Sequence, residues 1–210
     1  MSTCLLCHAN TVSQKAVIQS IPFFECKTCG CIFKDPATFP SANEERQRYL
    51  LHQNDVTDAG YQKFVEPLVS RVRNDFHPTS TGLDYGAGTG PVITKLLTEK
   101  GYEMNLYDPF FHPNLEVLTT KYNFIVCCEV MEHFHRPQKE FHQLHSYLLP
   151  TGKLYCMTEL YSEQLNFDDW HYKNDLTHVL FYTEDSVRWI ADHVGFSKVE
   201  FDDRLVVFTY

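Results

Sequence analysis

The chain has 210 residues, 43% apolar and 14% aromatic, which suits one α/β core with an appendage and is too apolar for a largely disordered chain. Asp and Glu number 27 against 18 Lys and Arg, a net charge of −9 that argues against broad binding to nucleic-acid backbones, since no dense basic run offsets it. No stretch approaches the roughly 20 apolar residues of a membrane span. Met1-Ser2-Thr3-Cys4 lacks the charged and apolar regions of a secretory leader, so a cytoplasmic protein is expected.

Five of the eight cysteines lie in the first 31 residues. Cys4-x2-Cys7 and Cys26-x2-Cys29, eighteen residues apart, have the spacing of a four-thiolate zinc ribbon. Gly30 permits the turn after the second pair. Ala16-Val17-Ile18 and Ile21-Pro22-Phe23-Phe24 read as two short strands between the pairs. A unit of about 40 residues needs such a staple, having too little core of its own. His8 and Cys31 are spare soft ligands beside the four. Residues 1–40 are therefore expected to be a zinc ribbon with a closed, structural site.

Residues 41–78 are expected to be a helical connector. Ser41 and Glu44 have capping-box spacing, and Tyr61, Phe64, Val65, Leu68, Val69 and Val72 repeat at helical intervals through Pro67. Residues 79–210 read as an α/β core. Leu83-Asp84-Tyr85 runs into Gly86-Ala87-Gly88-Thr89-Gly90, and a helical pattern follows at Val92, Ile93, Leu96 and Leu97. Glycines let the backbone turn sharply and approach a ligand. Asp108, ending the strand Met104–Tyr107, is placed to accept from both hydroxyls of a ribose. A nucleoside cofactor across two parallel strand tips follows. Pro91 stands where a dinucleotide fingerprint would need its third glycine.

The GxGxG spacing after Asp84 resembles motif I of class I S-adenosylmethionine methyltransferases. Tyr107-Asp108-Pro109-Phe110 resembles their motif II. Asn123 to Phe134, with Glu129-Val130-Met131-Glu132-His133, resembles their fourth strand, and Leu148 to Leu154 their turn into strand five. The resemblance extends to a UbiG-like group with an N-terminal zinc ribbon. It implies a Rossmann-like sheet and S-adenosylmethionine held by Asp84, Gly86, Ala87, Gly88, Gly90, Asp108, Pro109, Phe110 and Glu129. It also implies a helical lid whose Tyr61 is either a contact to the cofactor's methionine end or a core aromatic. One departure stands out: only about a dozen residues separate strands two and four, so Leu115–Leu118 is expected to be a vestigial strand three. The acid that usually follows that strand is gone. Phe110 then packs on the adenine or in the core.

His133, His135, His142 and His145 cluster without an evident co-ligand set, so no second metal is expected there. Phe167 to Tyr182 is dense in aromatics and titratable groups and resembles a W-x-Y-x2-D-x-THV-x-FY segment of the same group. As a loop at the carboxyl ends of the strands, it is expected to carry acceptor chemistry. His178 is the first candidate for general base and His171 the second, with Tyr172 or Asp175 orienting. The alternative is that Asp175-x2-His178 clamps the loop. The expected function is methylation of a small molecule, the oligomeric state being open. RNA methylation and a non-catalytic, partner-binding scaffold are the alternatives, the first disfavoured by the acidic charge.

Overall fold

The computed structural model describes residues 3–51 and 55–210; the helical expectation across 52–54 and the reading of residues 1–2 lie outside them. Its centre is a six-stranded sheet of β4 (Thr81–Tyr85), β5 (Glu103–Tyr107), β6 (Tyr122–Cys128), β7 (Leu148–Met157), β9 (Lys198–Asp202) and β10 (Leu205–Thr209). The spatial order is β5-β4-β6-β7-β10-β9. The first four strands are mutually parallel, while β10 runs antiparallel to β7 and β9.

Strand alternation sorts the side chains onto two covered faces. Phe124, Val126, Tyr155 and Met157 pack with Val65, Leu68, Val69 and Val72 of α2 (Ala59–Asp75) and Ile93 and Leu97 of α3 (Val92–Thr98). Ile125, Cys127, Leu154 and Cys156 face the opposite layer, with Phe141 and Leu144 of α4 (Pro137–Ser146) and Ile190 of α5 (Glu184–Val194). Ends follow local chemistry. Ser41 and Glu44 form the capping box of α1 (Ala42–Leu50), Thr183 caps α5, and Gly195 ends α5 at φ 103°. Pro67 stands inside α2 without ending it.

Strand three is corrected. Leu115–Thr119 forms a 3-10 helix, so among the described residues no strand flanks β5 on that side, and β5 is the sheet edge. The chain leaves β4 for β5 and returns to β6 on β4's other side. That reversal opens a crevice at the carboxyl ends of the strands.

The N-terminal residues form β1 (Val12–Ile18), β2 (Ile21–Cys26) and β3 (Ile32–Lys34), longer and more numerous than expected. They are not self-contained. Their sheet is completed by β8 (Leu180–Phe181), with Ile32 opposite Phe181 and Phe33 opposite Leu180. Phe23 and Ile32 share a core with Tyr161, Phe167, Trp170 and Tyr172. The 167–182 segment is thus held between the two sheets.

Candidate active site

A cleft of about 710 Å³ lies at the sheet's switch point. Its floor is the turn after β4. Gly86 and Gly88 take φ of 85° and 62°, where a side chain is strained. A Cβ on Gly86 would lie 2.4 Å from Val130 Cγ2, so this glycine is needed for packing, whereas a Cβ on Gly88 would point into open space. Asp84 lies buried beneath, accepting from Thr94 Oγ1 at 2.8 Å, and burial raises its pKa to about 6.

Asp108 is built into the floor more firmly than expected. Its Oδ1 accepts from the N–H groups of Phe110 (2.8 Å) and Phe111 (3.0 Å), and its Oδ2 from Gly88 N–H (3.0 Å). A carboxylate offers about four lone-pair positions, so roughly one remains for a ligand hydroxyl. Asp84, Gly86, Ala87, Gly88, Gly90, Asp108, Pro109, Phe110 and Glu129 all line this cleft, as does Tyr61.

The opposite wall, lined by Glu129, is backed by a network of side chains. Glu129, just past β6, takes φ 52°, unusual for a residue with a side chain. Its Oε1 pairs with Arg204 Nη2 at 2.8 Å, and Arg204 Nη1 reaches Glu159 Oε2 at 2.7 Å. Fully buried Glu132 accepts from Tyr172 O–H at 2.5 Å and from Thr158 O–H at 3.1 Å. Burial raises both glutamates to about 7; their mutual repulsion adds to it at Glu129, and the hydroxyl donors moderate it at Glu132.

His178 lines the cleft in front of Glu132, with Nε2 at 4.0 Å from Glu132 Oε1. Its Nδ1 bonds the main-chain carbonyl of Tyr172 at 2.8 Å. A carbonyl only accepts, so Nδ1 carries the proton and Nε2 keeps its lone pair. Burial, helped by nearby His133, holds its pKa down at about 3. Orientation therefore comes from the Tyr172 main chain, while the Tyr172 phenol secures Glu132. Asp175 does not touch the imidazole. It accepts from Thr177 and pairs with Arg48 Nη2 at 2.7 Å, tying α1 to the loop. His171 is not brought to the cleft: its side chain is 77% exposed, 3.7 Å from Glu159. His133 does line it, with Nδ1 on Thr177 O at 2.9 Å and its ring edge-on to His178.

Glu132 has one signal in the sequence, its place inside the Glu129-to-His133 motif. Thr158, Arg204 and Glu45 have none: Thr158 and Arg204 reach Glu132 and Glu129 behind the cleft, and Glu45 reaches His135 in its lining, by long-range pairing.

Remote from the cleft floor, Cys4, Cys7, Cys26 and Cys29 bring their sulfurs within 4.8 Å of one another. Cys4–Cys29 and Cys7–Cys26 separations are 3.6 and 3.5 Å. Four thiolates at about 2.3 Å from zinc would be about 3.8 Å apart, so the cage is close to size. Cys31 adds a fifth sulfur, 3.4 Å from Cys4. His8 is exposed.

A family model described as a methyltransferase domain matches residues 57–200. The chain belongs to that family and is a methyltransferase. Among solved structures, 1,6-didemethyltoxoflavin N1-methyltransferase of Burkholderia thailandensis, with its substrate and S-adenosylhomocysteine bound, matches at TM-score 0.57 and 13% identity, covering 94% of this chain and 97% of that one. Human N-acetylserotonin methyltransferase in complex with S-adenosylmethionine matches at 0.55 and 11%, covering 80% of this chain and 56% of that one. The pyocyanin biosynthetic protein PhzM matches at 0.54 and 13%, covering 78% and 61%. At such identities the likeness is one of fold. Sequence comparison with curated proteins finds no match.

Proposed function

We propose that the chain methylates a small molecule with S-adenosylmethionine bound across the tips of β4 and β5. The observation that carries this reading is Gly88: positive φ, open space where its Cβ would be, and its N–H fixed on Asp108. A backbone shaped to lie against a ligand, with an acid beside it, suits a ribose. Bound there, S-adenosylmethionine would supply a sulfonium methyl; attack by an acceptor oxygen or nitrogen forms the new bond as the carbon–sulfur bond breaks, leaving S-adenosylhomocysteine and a proton. His178 receives that proton at Nε2. The imidazolium so formed is stabilised by the Glu132 carboxylate 4.0 Å away. Thr158 and Tyr172 hold that carboxylate in place. His133 also faces the cleft, within 4.8 Å of the same Glu132 carboxylate, but its Nδ1 is taken by the main-chain carbonyl of Thr177 at 2.9 Å.

In this reading, zinc held by Cys4, Cys7, Cys26 and Cys29 is a structural cross-link with no open position for chemistry. Its effect reaches the acceptor side through β3 and β8. The test is methyl transfer from labelled S-adenosylmethionine into fractionated cell extract. Label in low-molecular-weight products, lost in His178→Ala, supports the reading. Label only in RNA, or cofactor binding with no labelled product from any fraction, overturns it.

A further inference from the structure

The cleft is electrically one-sided. Glu45, Asp84, Asp108, Glu129 and Glu140 line it, and among the described residues no lysine or arginine does. Cations close by already have partners: Arg204 offsets Glu129 and also holds Glu159, Arg48 pairs with Asp175, Lys34 donates to the carbonyls of Asp175 and Leu176, and the lining imidazole of His135 sits on Glu45 Oε1 at 2.9 Å. Burial pushes His133 and His178 down, so neither supplies a positive charge at neutral pH.

Three of the five carboxylates belong to the cofactor reading above, on which this inference rests. Glu45 lies on the acceptor side. It sits one helical turn before Tyr49 on α1, so the two share a face. Tyr49 then leads edge-on to His133 at 5.3 Å, and His133 to His178 at 4.8 Å. Phe110 lies 5.7 Å from the Tyr49 ring. The row therefore has a carboxylate at one end, aromatic rings between, and an imidazole lone pair at the other. An anionic acceptor would enter among like charges, and among the described residues no lysine or arginine lines the cleft to receive it. An ammonium would meet a carboxylate and an aromatic face, both favourable. We infer that the acceptor is an amine-bearing aromatic molecule, its ammonium held by Glu45 beside Tyr49 and its methylated atom presented to His178.

The experiment uses two phenols differing only in the charge of the chain end. Tyramine and 3-(4-hydroxyphenyl)propionate are titrated by calorimetry into the full chain saturated with S-adenosylhomocysteine. Tyramine is expected to bind tighter by about tenfold or more, as for a hydrogen bond to a charged partner. Glu45→Gln should remove most of that preference while leaving S-adenosylhomocysteine affinity unchanged. Glutamine can still accept the hydrogen bond that His135 makes to Glu45, and an unchanged melting temperature verifies that the variant folds. Equal or stronger binding of the propionate, or saturable binding of neither while S-adenosylhomocysteine binds, overturns the inference. Failure of S-adenosylhomocysteine to bind overturns the methyl-transfer reading beneath it, and this proposal with it.

Discussion

The two walls of the cleft use different parts of the polypeptide. The floor, from Gly86 to Gly90 and Asp108 to Phe111, works through main-chain N–H groups and glycine dihedrals within two short segments. The facing wall works through side chains. Glu129 and His178 line it and are backed by Glu132, Thr158, Tyr172 and Arg204, which come from four separate loops and strand ends and meet through hydrogen bonds spanning up to 75 residues. A backbone cradle tolerates few substitutions but needs little support. A side-chain wall is only as well placed as the loop behind it, and here that loop completes the sheet of the N-terminal ribbon. Binding and turnover should therefore be separable by mutation.

The largest separation is expected at His178. His178→Ala should lower kcat by about 10²- to 10⁴-fold with S-adenosylhomocysteine affinity unchanged. An equal loss of both, or a variant with full turnover, would make the residue a loop clamp.

Metal removal should act next. Intact protein should hold one zinc per chain, measurable by elemental analysis. Stripping it, or Cys26→Ser, should loosen β3 and with it β8. Acceptor kcat/KM is then expected to fall by about 10²-fold, the scale of an ångström-level misplacement. S-adenosylhomocysteine binding should persist. Loss of cofactor binding in parallel would mean the two walls are not independent.

The pH profile sharpens the same contrast. His178, held near 3, is neutral throughout the working range, so its own protonation does not set the acidic limb. Glu132 titrates near 7 and must be ionised to stabilise the imidazolium. Turnover should rise with pH through about 7, and Glu132→Gln should be slower and flatter there. Stability runs the other way. A carboxyl raised above its unfolded value of 4.5 favours the folded state at low pH, and this contribution is lost as pH climbs through about 7. Melting temperatures followed from pH 5 to 8 should show a smaller decline in Glu132→Gln than in wild type.

Legibility in the sequence followed the same division. Glycine spacing, the acid after β5, the helix caps and the Cys pairs are local signals: the caps form as expected, the glycines and Asp108 line one cleft, and the four sulfurs gather within 4.8 Å of one another. Leu115–Leu118 misled because its apolar content suits a strand, while the dozen residues available leave no room for a helical crossover to a parallel one. His171 and His178 are indistinguishable by composition; only the fold exposes one and buries the other. Glu132 has no local signal of its role because its partners, Thr158 and Tyr172, are 26 and 40 residues away. Pairing of β8 with the ribbon joins segments nearly 150 residues apart, and two-residue strands carry no periodicity to announce it.

If the floor binds the cofactor and the side-chain wall handles the acceptor, the two functions separate in calorimetric titrations of S-adenosylhomocysteine into wild type, Asp108→Ala and His178→Ala. One site per chain is expected, weakened by about 1.5–3 kcal/mol in Asp108→Ala for the one lost charged hydrogen bond and unchanged in His178→Ala. No binding to wild type, or equal weakening in both variants, would contradict the account.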